Sequence, residues 1–126
     1  MEDLIIEGGS SSPAIEFHTN GRFKIEGRIL TDNAVTTFEP LVAWIKKFEG
    51  ENVEFIINLD YINTSASMQL FSLLRSLDIR NDIKQISVKW YYEQDDEDHL
   101  DTGEFYEDKL IRVKFEFIPI KDKLVA

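Results

Sequence analysis

Val53-Glu54-Phe55-Ile56-Ile57-Asn58-Leu59 and the residues that follow it, Asp60-Tyr61-Ile62-Asn63-Thr64-Ser65-Ala66-Ser67, decide the fold. The first half is apolar and rich in β-branched residues, which predicts a central strand covered on both faces. The second half hands the chain to a helix from about Ser65 to Ile79. Leu70, Leu73, Leu74 and Leu77 form its core stripe, with Met68 and Phe71 on its flanks. Ile86-Ser87-Val88-Lys89-Trp90-Tyr91-Tyr92 reads as the next strand. A strand, a helix and a strand in this order imply parallel pairing with a right-handed crossover.

Before this unit, Leu41, Trp44, Ile45 and Phe48 fall at helical spacing. Pro40 is tolerated in the first turn, so the helix is expected to start near Phe38, capped by Thr36 or Thr37, and to close at Gly50. Earlier still, Ile15 to His18 and Phe23 to Glu26 alternate with a period of two around Asn20-Gly21, which predicts a β-hairpin. Gly8 to Pro13 reads as a loop, and Met1 to Ile6 as either a short strand or a tail. After Tyr92, the segment Glu93 to Asp108 is mostly acidic or polar, with a helix expected over Asp98 to Tyr106. Val113 to Ile118 is the last strand, ended by Pro119. The fold class is therefore α/β. A single domain over residues 1–126 is expected, with a mixed sheet, an N-terminal hairpin, helices packed on the sheet, and residues 1–12 partly flexible.

Composition narrows the function. The chain has 126 residues and a formal charge of −10, with no run of basic residues. Such a surface repels nucleic acids and anionic lipid. No stretch is long and apolar enough to span a membrane. With no cysteine there is no disulfide, thiolate metal site or cysteine nucleophile. Met1 to Glu7 is acidic and lacks the basic start of a signal peptide, so a cytoplasmic location is expected.

Two segments could carry function. Asn63, Thr64 and Ser65 lie where a strand meets a helix amino terminus, whose free N–H groups and dipole favour negative charge. They read first as ordinary helix caps and second as a modification site, and one residue can cap while its neighbour is modified. Asp95, Asp96, Glu97, Asp98 and Asp101 could bind a hard cation, dock on a basic partner, or simply be solvated. Their spacing does not fit a Ca²⁺-binding EF-hand loop. His99, among these carboxylates, is expected to favour its protonated form. Trp90 and Tyr92, near the end of their strand, are candidates for partner-binding anchors or for core. No nucleophile elbow and no phosphate loop occur, and neither a cofactor nor a metal is expected.

Four stretches together are similar to one family. They are Ser12-Pro13-Ala14-Ile15-Glu16-Phe17 with Ile25-Glu26-Gly27-Arg28; Phe38-Glu39-Pro40-Leu41-Val42-Ala43-Trp44; Asp60-Tyr61-Ile62-Asn63-Thr64-Ser65; and Trp90-Tyr91-Tyr92-Glu93-Gln94-Asp95-Asp96-Glu97 with Gly103-Glu104. In this order they resemble the SiaC-type regulatory phosphoproteins of bacteria. The resemblance implies a STAS-like fold, as in anti-sigma factor antagonists, and a partner-switching role. It implies a protein kinase and a PP2C-like phosphatase as partners. It also implies a diguanylate cyclase that the unmodified form activates, raising cyclic di-GMP and biofilm formation. Thr64 is the phosphoacceptor it implies, with Ser65 as fallback, and Asn63, Ser65, Trp90, Tyr92, Asp95 and Asp96 are the expected partner-binding residues. Ala66, Met68, Glu39 and His99 depart from the usual Ser, Lys, aromatic and Met at their positions. A metal-dependent enzyme using residues 95–101, or a purely structural subunit, are the alternatives.

Overall fold

The computed structural model describes residues 1–30, 32 and 34–121. Six strands and three helices follow one another as β1 (Leu4–Ile6), β2 (Ala14–Phe17), β3 (Arg22–Ile29), α1 (Ala34–Lys47), β4 (Asn52–Ile62), α2 (Thr64–Asp78), β5 (Gln85–Glu93), α3 (Glu97–Lys109) and β6 (Val113–Ile120). The strands form one sheet in sequence order, with β1, β2 and β3 antiparallel and β3 to β6 parallel. Of the two readings for Met1 to Ile6, the strand is the one seen: Leu4 pairs with Phe17 and Ile6 with Ile15.

The hairpin turn is built on glycine. Gly21 has φ +95° and donates its N–H to the His18 carbonyl. A Cβ there would stand 2.0 Å from the Asn52 carbonyl oxygen, so only glycine fits both the backbone angle and the approach of β4.

The central strand is not covered on both faces. Val53, Phe55, Ile57 and Leu59 are buried, while Glu54, Ile56 and Asn58 are half-buried on the other side. The cause is topological. The three parallel crossovers step in the same direction across the sheet, and each is right-handed, so all three helices land on one face. No reversal of strand order occurs, and so no crevice of the doubly wound kind arises. The helix-free face carries neighbouring charges of opposite sign, including Lys24–Glu26 and Lys89–Glu54, each at 3.4 Å.

The covered face holds one continuous core. Beneath α1 it is aromatic: Phe23 lies 4.9 Å from Phe17, 5.1 Å from Phe48 and 5.4 Å from Trp44. The Trp44 indole N–H donates to the Glu2 carbonyl, which ties the amino terminus to α1.

Two proline expectations need correction. α1 starts at Ala34, so Pro40 is its seventh residue and Thr36 and Thr37 lie inside it rather than capping it. Pro40 and Thr36 both face solvent, on the side of α1 away from the core, where the ring is tolerated. Pro119 does not end β6; it pairs opposite Tyr92, and among the described residues β6 is an edge strand.

Gly103 sets how closely α3 lies on the sheet. A Cβ at this position would come within 2.8 Å of both the Trp90 and the Phe117 rings. Gly103→Ala gains about 1 kcal/mol of helix propensity but overpacks two rings at a cost of about 1–3 kcal/mol. The expected net effect is destabilisation, read as a lower urea midpoint with an unchanged slope.

Candidate functional site at the amino end of helix α2

Strand β4 runs on to Ile62, further than the apolar run alone suggests, because the motif Asp60-Tyr61-Ile62 still pairs with β3. A bulge inserts Asp60 as an extra residue between Leu59, opposite Gly27, and Tyr61, opposite Arg28. The Asn63 N–H then donates to the Ile29 carbonyl at 3.3 Å, and α2 begins at once.

Asn63 is the N-cap. Its extended backbone and its side-chain oxygen, which accepts the Ala66 N–H at 2.9 Å, satisfy one orphan donor of the first turn. Asn63 thus fills the capping role, which leaves Thr64 and Ser65, the first two residues of the helix, exposed. No charged residue occurs between Asn63 and Leu74, so the rim of α2 near Thr64 has no cation to neutralise an added charge.

The first turn is locked to α3. The Tyr106 hydroxyl donates to the Ser67 carbonyl and lies 2.7 Å from the Ser67 hydroxyl. Burial pushes the Tyr106 phenol up to about 12, so it stays a protonated donor at neutral pH. Beneath it, Trp90 packs edge-on to Tyr106 at 5.4 Å, stacks on His99 at 4.9 Å and donates its indole N–H to the His99 carbonyl. Neither Ser67 nor Tyr106 stands out in the sequence. Their pairing joins residues 39 positions apart and has no local pattern.

The remaining candidates separate. Trp90 has no exposed surface, so it is core and not a surface anchor. Its position on the covered face of β5 decides this. Tyr92, two residues on, is half-buried. Asp95 is exposed, whereas Asp96 is half-buried and caps α3 by accepting the His99 N–H at 3.1 Å. The helix expected over Asp98 to Tyr106 is longer at both ends, Glu97 to Lys109. Among the described residues, no three His, Asp or Glu side chains gather as a metal site.

His99 corrects an expectation. It is buried with Nε2 unpartnered, and desolvation holds its imidazole below the ordinary value, against the opposing pull of Asp96. The neutral form is therefore favoured in the folded state. Its contribution to stability is present above the unfolded value near 6.5 and is lost as pH falls through the lower folded value. His99→Met is expected to flatten the loss of stability between about pH 7 and pH 5, measured by urea unfolding at each pH.

Across residues 6–120, including this whole region, the sequence matches the model of the SiaC family regulatory phosphoproteins. The chain belongs to the SiaC family. Its fold is that of solved family structures. SiaC of Pseudomonas aeruginosa in complex with the diguanylate cyclase SiaD, which it activates, is 24% identical with a TM-score of 0.82, over 94% of this chain and all of the other. The apo form of the same protein is 26% identical with a TM-score of 0.76, over 94% of this chain and 99% of the other. No curated protein matches the chain. The SiaC-family chain is thus a regulatory phosphoprotein with a mixed α/β domain, and no described helix is long and apolar enough to cross a membrane.

Proposed function

We propose that this SiaC-family protein is a partner-switching regulator whose unmodified form binds and activates a diguanylate cyclase, and whose phosphorylation at Thr64 ends that binding. Its further partners are a protein kinase and a PP2C-like phosphatase, its output is cyclic di-GMP and biofilm formation, and it acts in the cytoplasm without catalysing a reaction itself.

The observation that carries this reading is the division of labour at the amino end of α2. Asn63 caps the helix and Thr64 stands exposed beside it, open to a visiting kinase. The activator named in complex with SiaD supports the cyclase as partner through shared family and fold. A purely structural role for Thr64 as cap loses its basis, because Asn63 already fills that role. Among the described residues no three donors gather for the metal-dependent alternative; Asp96 caps α3 and His99 is stacked against Trp90.

Incubation with a cognate protein kinase tests the reading. One phosphate per chain is expected, mapped by mass spectrometry to Thr64 and absent from Thr64→Ala. Phosphate mapped to another helix or strand contradicts the assignment. Phosphate on Ser65 moves the switch by one residue along the same exposed turn.

A further inference from the structure

The parallel strands β3 to β6 all begin at one end of the sheet, opposite the end where β4 hands over to α2. Their register lines up one residue from each strand: Arg22 beside Glu54, Glu54 beside Ser87, and Ser87 beside Lys114. Each is the chain neighbour of a buried core residue, Phe23, Val53, Ile86 or Val113. Because side chains alternate along a strand, the whole row projects from the helix-free face. The row lines an open cavity of about 540 Å³, which Lys84 and Arg112 also line.

The charge balance of this cavity is the reverse of the chain's. Four cations, Arg22, Lys84, Arg112 and Lys114, face one carboxylate, Glu54. Glu54 is engaged by Lys89 at 3.4 Å, and Lys84 by Glu51 at 3.5 Å. Arg22, Arg112 and Lys114 enter no ion pair among the described residues. The Arg112 guanidinium donates to the neutral carbonyls of Asp78, Arg80 and Ile83, which fixes its position and leaves its charge uncompensated. These cations come from separate stretches of the sequence, so no basic run announces them. The net charge of −10 does not cancel their effect on a small ion, because screening limits its reach to about 8 Å at physiological ionic strength.

We propose that this cavity binds a small oligophosphate, held by Arg22 and Lys114 at its two ends with Arg112 as a fixed third cation. Guanidinium groups match phosphate oxygens in forked pairs, and Ser87 offers a hydroxyl within the same row. Three strand spacings, about 14 Å, separate the backbones of Arg22 and Lys114, so their long side chains suit an extended anion better than a single ion. No aromatic side chain lines the cavity, so nothing there stacks on a base and the phosphate chain itself is what is recognised. That chain can be inorganic or belong to a nucleotide. The site lies at the far end of the sheet from Thr64 and does not depend on the switch there.

Isothermal titration of the full chain with sodium tripolyphosphate, at physiological ionic strength and without divalent cations, tests the site. Saturable binding of one ligand per chain is expected. Arg22→Gln with Lys114→Gln is expected to weaken it by about tenfold or more, with an unchanged circular dichroism spectrum. Ser87→Glu, which sets a carboxylate in the middle of the row, is expected to abolish it. Lys46→Gln with Lys47→Gln, at the end of α1, is expected to leave it unchanged. Orthophosphate should bind about tenfold more weakly or less still, having one phosphate to offer the row. ATP bound as tightly as tripolyphosphate upholds the site with a nucleotide as a possible source of the chain; tripolyphosphate bound and ATP refused upholds it for an inorganic ligand. Absence of saturable binding overturns the proposal. So do equal affinities for orthophosphate and tripolyphosphate, or an equal loss in the Lys46 and Lys47 variant and the Arg22 and Lys114 variant.

Discussion

Carrying phosphate on Thr64, the protein is expected to bind a diguanylate cyclase at least about thirtyfold more weakly than the unmodified form, a loss of about 2 kcal/mol or more. The magnitude follows from where the charge sits. The phosphoester adds about −1.5 to −2 charges at neutral pH. At the start of α2 the helix dipole and the unpaired first-turn N–H groups offset part of this, by about 0.3–1 kcal/mol, so the fold tolerates the modification. The same charge under a docked partner has to leave water, and the α2 rim supplies no lysine or arginine from Asn63 to Leu74 to meet it. Truncating or stranding a buried charge at an interface costs about 2–5 kcal/mol. Desolvation therefore exceeds what the helix end returns. Isothermal titration of the two forms against the cyclase checks it, and circular dichroism of the phosphorylated chain should remain that of the unmodified one.

The second large effect concerns the fold that holds the site. Asp78→Ala is expected to destabilise the protein by about 3–5 kcal/mol, lowering its melting temperature by roughly 10–20 °C. Asp78 closes α2, and its buried carboxylate accepts the backbone N–H groups of Ile111, Arg112 and Val113, at 3.1, 2.7 and 3.2 Å. The Arg112 guanidinium returns the tie by donating to the carbonyls of Asp78, Arg80 and Ile83. The far end of α2 is thus clamped to the start of β6. Removal of the carboxylate strands three donors at once, whereas Asp78→Asn keeps one acceptor and should cost less. Calorimetry on the two variants provides the comparison, and equal melting temperatures for Asp78→Ala and the unsubstituted chain would contradict the clamp.

Much of this architecture is legible in the sequence because it is written in local patterns. The alternation of Phe23 and Ile25, the helical spacing of Leu70, Leu73, Leu74 and Leu77, and the turn at Asn20-Gly21 each report a face or a bend without reference to distant residues. The capping residue was legible only as a choice among Asn63, Thr64 and Ser65; which of them turns its oxygen to the Ala66 N–H depends on the backbone angle at the strand end. What local patterns could not carry is the sidedness of the sheet. Val53 to Leu59 reads as buried on both faces because Ile56 is apolar, yet all three crossovers step the same way and leave that face without a helix.

The site divides along the same line. Thr64 was legible only as one of three cap-type residues where a strand meets a helix, and through the family resemblance; its exposure beside the Asn63 cap is a matter of the fold. Trp90, which opens the aromatic run near the end of its strand, read as either anchor or core, and the register that sets Trp90 opposite Ile57 and Phe117 puts it on the helix-covered face. His99 looked like a cation among carboxylates, yet one helical turn carries it beneath α3 onto the Trp90 ring, where desolvation outweighs the charge of Asp96. The Ser67–Tyr106 contact, which fixes α2 to α3, has no sequence signature at all.

A single phosphate at the start of α2 is expected to decide the output. Diguanylate cyclase turnover, titrated with the unmodified chain, with the Thr64-phosphorylated chain and with Thr64→Ala treated with the same kinase, measures this directly. The unmodified chain and the treated Thr64→Ala variant are expected to stimulate cyclic di-GMP synthesis alike, and the phosphorylated chain to leave the cyclase at its basal rate at the same concentration. Equal stimulation by the phosphorylated and unmodified chains would contradict it.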